Sequence, residues 1–234
     1  MDNSFMLSEL KYLPWDSAFF NLKVGSIFWN SAMNITSLKE QALFQQYDLI
    51  YIFAPYQTIG INSKHVDSKV VYSKSLGKGH QYASIMLADS NRDIEDLHKL
   101  ALISGKYSRF KIDNQFPKHS YERMYEEWIE KSMNGELADY VFVHKLNGHL
   151  DGMITIKLSN NIATIGLIAV DYDSQGKGIA TQLIQSAEHC LSLLGTIDTL
   201  KVTTQQSNKI ACKLYLKNNF AIESITDIYH CWIS

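Results

Sequence analysis

The amino-acid sequence predicts an α+β chain: a mostly antiparallel sheet flanked by helices, preceded by a smaller α/β domain. Three observations carry this. Beyond residue 80 the hydropathy pattern reads strand, two helices, three antiparallel strands, then a glycine-bearing turn opening a long helix. Before residue 80 the segments read mostly as strands around one helix. Between them lies Leu76-Gly77-Lys78-Gly79-His80, the clearest interior break, so a division into domains 1–80 and 81–234 is expected.

Taken in order, residues 19–29 mix aromatic and β-branched side chains and read as a strand. Residues 37–47 carry Leu38, Ala42 and Leu43 at helical spacing, with Ser37 placed as an N-cap. Residues 48–54, ended by Pro55, and 69–73 are further strands. The Gly-Lys-Gly break has two readings, a linker or a phosphate cradle; no run of phosphate-loop form follows it, and a linker needs none. A buried strand is expected over 82–87 and a helix over 90–103, with Ile94, Leu97, Leu100 and Ala101 on one face. A polar stretch, 104–110, leads to a second helix over 120–133 that stops at Asn134-Gly135. Residues 141–146, the Asn147-Gly148 turn and 150–158 form a hairpin, because Asn-Gly suits turns that match strand twist. A strand over 163–170 follows Asn160-Asn161.

Composition excludes several classes. At 46% hydrophobic and 20% charged, the 234-residue chain has the makeup of a folded globular protein rather than a disordered one. Lys+Arg 22 against Asp+Glu 24 leaves a net charge of -2, so no global basic field attracts nucleic acid or an anionic membrane, and any anion must be held by local geometry. Cys190, Cys212 and Cys231 are odd in number and never in a C-x-x-C pair, which argues against a disulfide framework and a structural zinc site. A reducing cytoplasm is expected, with no metal. Met1-Asp2-Asn3-Ser4-Phe5 lacks the basic start of a leader, and no apolar run is long enough for a membrane span.

The chemistry-bearing motif follows the last of those strands: Asp171-Tyr172-Asp173-Ser174-Gln175-Gly176-Lys177-Gly178-Ile179-Ala180, then a helix with Ile179, Leu183, Ile184, Ala187, Cys190, Leu191 and Leu194 on one stripe. A strand that turns through glycines into a helix N-terminus leaves backbone N–H groups pointing together at the positive end of the helix dipole, a site for pyrophosphate. Lys177 between the glycines, with no Ser or Thr directly after it, breaks the P-loop pattern. Gly176-Lys177-Gly178 without a third glycine breaks the dinucleotide fingerprint.

The stretch from Gln175 to Ala180 resembles the Q/R-x-x-G-x-G/A loop of the GCN5-related N-acetyltransferases (GNAT). Farther on, Asn208-Lys209-Ile210-Ala211-Cys212-Lys213-Leu214-Tyr215-Leu216-Lys217-Asn218-Asn219-Phe220 resembles that family's N-x-x-A-x-x-L-Y-x-x-x-G-F ending. Asn219 stands where the pattern has glycine, and Asn is the best non-glycine residue for a left-handed helix terminator. The resemblance implies a GNAT fold, a central mixed, mostly antiparallel twisted sheet flanked by helices, over 81–234, with 1–80 a partial unit of the same kind. It implies acetyl-CoA as cosubstrate, its pyrophosphate on Gln175, Gly176, Lys177, Gly178, Ile179 and Ala180. Its pantetheine arm would lie along Leu167, Ile168, Ala169 and Val170, with Asn208 reaching the arm and Tyr215 as general acid.

A free phenol has a pKa of about 10 and a thiol about 8.5, so full proton transfer from Tyr215 to the leaving thiolate is uphill by roughly 2 kcal/mol, and a hydrogen-bond role competes with it. Tyr215 also has the plainer reading of a core tyrosine. No base stands out: Asp171, Asp173 and Glu127 are open candidates, a water relay would also serve, and His144 and His149 flank a turn where a surface location is expected.

Leu13-Pro14-Trp15-Asp16-Ser17-Ala18-Phe19-Phe20, Tyr107-Ser108-Arg109-Phe110 and Tyr125-Glu126-Glu127-Trp128 are similar to the dTDP-fucosamine acetyltransferase family of polysaccharide biosynthesis. That resemblance implies a nucleotide-linked 4-amino-4,6-dideoxyhexose as acceptor and a homodimer. Two readings stand for Arg109, a guanidinium for a nucleotide phosphate or a solvated surface charge, and Trp15, Phe19 and Phe20 also read as core. The other readings of the whole chain are an acetyltransferase for another small amine or a protein N-terminus, and a GNAT-fold protein that binds CoA without turnover.

Overall fold

A computed structural model describes residues 9–89, 92–146 and 148–233. Residues 1–5, Ser90 at the expected helix start and Asn147 of the hairpin turn lie outside the described residues. The elements, in chain order, are β1 (Lys11–Tyr12), α1 (Pro14–Phe20), β2 (Val24–Phe28), α2 (Ile35–Phe44), β3 (Leu49–Pro55), β4 (Lys64–Ser75) and β5 (Ile85–Leu87). Then come α3 (Ile94–Ser104), α4 (Arg109–Ile112), α5 (Ser120–Met133), β6 (Tyr140–Leu146), β7 (His149–Ser159) and β8 (Ile162–Val170). The last four are α6 (Ile179–Leu194), β9 (Thr199–Gln205), α7 (Lys209–Lys217) and β10 (Ala221–Trp232). Two compact units result: Met1–Lys69 with Ile112–Pro117 and Ile225–Ser234, and Val70–Lys111 with Lys118–Ser224.

In unit 1, β2 runs antiparallel to β1 and parallel to β3, and β10 lies antiparallel to β3 from Thr226↔Pro55 to Trp232↔Leu49. The parallel pair β2 and β3 is joined by α2, a βαβ unit whose apolar face packs Leu38 and Ala42 against Ile27, Ile50, Ile52, Tyr229 and Cys231. Two expectations are corrected here. Phe19 and Phe20 close a helix instead of opening a strand: Pro14 sits in its first turn, Asp16 favours its N-terminus, and Asn21 ends it at φ 53°. The cap of α2 is Asn34, whose Oδ1 accepts from the N–H of Thr36 and of Ser37, so Ser37 is a capped residue and not the cap.

In unit 2 the strand order is β4-β9-β8-β7-β6-β5, antiparallel from β5 to β8 and parallel between β8 and β9. Helices α3 and α5 pack through Leu97, Leu100 and Ala101 and through Tyr121, Met124, Tyr125 and Ile129. Helix α6 buries Ile179, Leu183, Ile184, Ala187 and Leu191, most of its expected stripe; Leu194 at its last turn is exposed. The strand expected over 82–87 shortens to β5, at the end of the strand order, with only Ile85 of its three residues buried.

Along the chain the two compact units divide inside β4, at Lys69/Val70. The Gly-Lys-Gly stretch is seated on α6. The N–H of His80 donates to Gln185 O at 3.0 Å, and Ser192 Oγ donates to Lys78 O at 3.3 Å. A Cβ on Gly79, at φ 61°, would stand 2.3 Å from Gln185 O and His189 N, whereas one on Gly77 would meet only Glu188 Oε1 at 3.5 Å. Gly79→Ala is therefore expected to cost about 1–3 kcal/mol and Gly77→Ala close to nothing, as read by urea unfolding midpoints of the two variants.

Candidate active site

Pairing of β8 with β9 runs from Ile162↔Thr199 to Ile165↔Val202 and stops, although both strands continue, to Val170 and Gln205. On the other edge of β8 the register with β7 shifts between Ile154 and Ile156. Gly166 and Leu167 of β8 form a bulge opposite Thr155, whose Oγ1 accepts the N–H of Leu167 at 2.8 Å. The N–H of Asp171 donates to Asp151 O, also on β7. Because successive residues of a strand point their amides to alternate edges, the N–H groups of Leu167, Ala169 and Asp171 face β7. Those of Ile168 and Val170 then face the edge that β9 has left. Of the four residues expected along a pantetheine arm, only these two aim backbone donors at the open edge.

The turn that follows is built by its own side chains. Asp171 accepts from the N–H of Asp173 at 3.0 Å and opens a 3-10 turn over Tyr172–Ser174. Gln175 Nε2 donates to Val170 O at 3.0 Å, tying the loop to the end of β8. Lys177 Nζ folds back to Asp173 O at 3.0 Å. Gly176 and Gly178 stand at φ 79° and 83°, where a side chain is strained, and a Cβ on either would meet nothing within 4 Å. Gly178 caps α6 without any side-chain hydrogen bond, so the first amides of this 16-residue helix, those of Ile179 and Ala180 among them, keep their donors at the positive end of the dipole. The residues fit a pyrophosphate-bearing cosubstrate: an open, side-chain-free cradle with convergent donors, directly beyond two outward-facing strand amides.

Tyr215 lies on α7 and is 2% exposed. Its ring packs 5.5 Å from Tyr72 of β4 and 5.7 Å from Phe220. The helix ends in a Schellman motif: the N–H of Phe220 donates to Tyr215 O, that of Asn219 donates to Leu216 O, and Asn219 sits at φ 64°. Asn219 thus does the work of the expected glycine, and the Phe220–Tyr215 contact belongs to the same motif. At the other end of α7, Asn208 Oδ1 accepts the N–H of Ala211 at 3.1 Å, which leaves Nδ2 for any ligand.

Residues 103–220, just over half of the chain, match the acetyltransferase (GNAT) family. The chain belongs to the GNAT family. It is 31% identical over 134 residues to the dTDP-fucosamine acetyltransferase of Escherichia coli O6:H1, covering 56% of each protein. It is 29% identical over 145 residues to the spore coat polysaccharide biosynthesis protein SpsD of Bacillus subtilis, covering 60% of this chain and 48% of that one. The chain therefore spans about half the length of the curated relatives it matches. In fold it is similar to a conserved protein of unknown function from Staphylococcus epidermidis (TM-score 0.66, 13% identity, 98% of this chain and 94% of that chain). It is likewise similar to a GCN5-related N-acetyltransferase from Sphaerobacter thermophilus (TM-score 0.61, 13% identity, 97% and 76%). Among the described residues no helix is long and apolar enough to cross a membrane, and no three His, Cys, Asp or Glu gather as a metal site.

Within this GNAT site the open questions on acid and base groups narrow. Asp171 is engaged by the loop, and Glu127 is ion-paired with Lys131 at 2.6 Å. His144, expected on the surface, is buried: it lies opposite Gly152, whose missing Cβ lets Ile179 and Leu183 of α6 come close, and its Nδ1 pairs with Asp151. His149 is exposed as expected. Arg109 opens the four-residue α4, its guanidinium 4.5 Å from the centre of the Phe110 ring. The sequence reading missed Thr155, because a bulge leaves no periodic signature, and Tyr72, because its partner is 143 positions away (215 minus 72).

Burial holds the Tyr215 hydroxyl well above its ordinary value, with Cys212 and Tyr72 adding to the effect. Burial and a hydrogen bond with Cys212 push Tyr72 from 10.0 up to about 12. Between those two values the folded chain keeps a proton that the unfolded chain loses. Stability is therefore full below pH 10 and falls as pH rises through about 12. Tyr72→Phe is expected to fall less steeply than wild type over that window in urea unfolding at stepped pH; equal slopes would place the Tyr72 titration elsewhere.

Proposed function

We propose that this chain is an N-acetyltransferase that moves an acetyl group from acetyl-CoA to the amine of a nucleotide-linked amino sugar, a dTDP-4-amino-4,6-dideoxyhexose, by direct attack in a ternary complex. The observation that carries it is the continuous run of donors from the open edge of β8 through Gly176 and Gly178 to the first turn of α6. Acetyl-CoA supplies the acyl group as a thioester. Gln175, Gly176, Lys177, Gly178, Ile179 and Ala180 hold its pyrophosphate, and Ile168 and Val170 offer N–H groups to its arm and to the oxygen that gains charge.

Tyr215 donates a hydrogen bond to sulfur as negative charge grows there. Its raised pKa makes full transfer of the proton still more uphill than the roughly 2 kcal/mol separating an ordinary phenol from a thiol. Asp171 and Glu127 are committed elsewhere and Asp173 is exposed to solvent, so the proton of the attacking amine leaves through water. The acceptor assignment rests on the likeness to the two polysaccharide proteins and on Arg109 as a partner for the nucleotide phosphates. Cytoplasmic location and a homodimer belong to the same proposal, and the free Cys190, Cys212 and Cys231 suit a reducing compartment.

The test is free-thiol release from acetyl-CoA with a panel of dTDP-4-amino-4,6-dideoxysugars, with simple amines and peptides as controls. Release with one aminosugar supports the proposal. Release with amines or peptides alone assigns a different acceptor, and acetyl-CoA binding with no release assigns a non-catalytic CoA binder. Tyr215→Phe is expected to lower turnover by ~10- to 1000-fold with acetyl-CoA affinity nearly unchanged. Gly176→Val, forced to φ 79°, is expected to weaken acetyl-CoA binding in calorimetry by ~10-fold or more while costing about 1–2 kcal/mol of stability.

A further inference from the structure

Helix α7 carries Tyr215 near its C-terminal end, and two side chains of β4, Tyr72 and Lys74, hold that end. Two residues apart on a strand, they point to the same face. Tyr72 packs on the Tyr215 ring. Lys74 Nζ donates to the carbonyl oxygen of Asn218, the C-cap of α7, at 2.9 Å, where an ammonium meets the negative end of the helix dipole. The same ammonium stands 5.2 Å from the centre of the Phe220 ring, and Phe220 in turn packs on Tyr215. It also pairs with Glu188 Oε1 of α6 at 2.6 Å. Glu188 is 4% exposed and sits among the apolar residues that α6 buries, where a carboxylate is costly unless a cation accompanies it. Asn218 adds a second tie, since its Nδ2 donates to Leu214 O at 2.8 Å and to Thr181 Oγ1 of α6 at 3.4 Å. All of these residues lie within unit 2.

We propose that Lys74 is a positioning residue: by joining Glu188 of α6 to the C-terminus of α7, it fixes Tyr215 relative to the donors at the start of α6. The proposal rests on the functional reading above for the role of Tyr215. A slide of α7 along α6 would take Asn218 O away from Nζ, and a shift of Lys74 to follow it would leave Glu188 buried without its cation. Removing one partner of a buried pair is strongly unfavourable, so the two helices keep one register. An apolar pair of the same volume would pack as tightly, but hydrocarbon contacts have no preferred direction and would let α7 settle in neighbouring positions.

Steady-state kinetics and hydrogen exchange on the full-length chain test this. Lys74→Met keeps the aliphatic stem and deletes the ammonium; Lys74→Met/Glu188→Leu removes both charges and carries the test if the single variant does not fold. With the aminosugar that releases thiol fastest, kcat is expected to fall ~10-fold while acetyl-CoA affinity stays within about 2-fold of wild type. Placed in a Tyr215→Phe background, the same substitution is expected to change kcat by less than about 2-fold, because the loss acts through that hydroxyl. Amides of residues 211–220 are expected to exchange ~10-fold faster, with those of β7 unchanged. Unchanged exchange in a folded variant overturns the tie between the helices. Equal falls in kcat in both backgrounds, or no fall in either, overturn the positioning role, since a loss of folded enzyme lowers both alike. If Tyr215→Phe turns over as fast as wild type, or wild type releases no thiol with any acceptor, the functional reading fails by itself, and the exchange arm still decides whether Lys74 holds α7.

Discussion

The arrangement of the site depends on one constraint: β8 must part from β9 after Ile165↔Val202 without losing its hold on β7. A strand that leaves its neighbour exposes backbone donors, which is costly unless something takes them. The β8 bulge opposite Thr155 divides the problem. The Thr155 hydroxyl takes the Leu167 amide, so the β7 side stays satisfied, while the alternation of the strand turns Ile168 and Val170 toward the free edge. Gly166 belongs to the same device, since a Cβ there would stand 2.8 Å from Thr155 Oγ1.

From that parting the remaining features follow in chain order. Val170 hands over to a turn in which one carboxylate (Asp171), one amide (Gln175) and one lysine (Lys177) bond to nearby backbone, so the loop is shaped before any ligand arrives. Gly176 and Gly178 then bring the chain into α6 with its first amides uncapped. Preorganised donors of this kind are worth more than flexible ones, because the cost of ordering them is met on folding. After β9, α7 ends in a Schellman turn that sets the Tyr215–Phe220 contact, and Tyr72 packs on the Tyr215 ring.

Much of this was legible in the sequence. The helix 120–133 begins and ends where expected, because Asn134-Gly135 is a strong local stop. The loop at 175–180 and the ending at 208–220 are short-range patterns, and both stand where their residues placed them. What local pattern could not carry is long-range pairing. Asp113 meets His230 across 117 positions, and nothing around Asp113 marks it as buried. His144 flanks a turn in sequence, and its burial comes from the strand pairing that sets it opposite Gly152. Phe19 and Phe20 misled through their type, since aromatic side chains favour strands, while the signals that overrode them, Pro14 and Asn21, concern only the ends of the helix. Thr155 shows the same limit: a bulge is a relation between two strands and is invisible in one.

The most direct test of the account is a titration of acetyl-CoA followed by amide-resolved NMR of the full-length chain. The account predicts saturable shifts that begin at Ile168 and Val170, continue through Gly176 and Gly178, and extend into Ile179 and Ala180, with the amides of Leu167 and Asp171 moving least because β7 already holds them. Saturable shifts that leave 168–180 still, or the absence of any shift at millimolar acetyl-CoA, would contradict it.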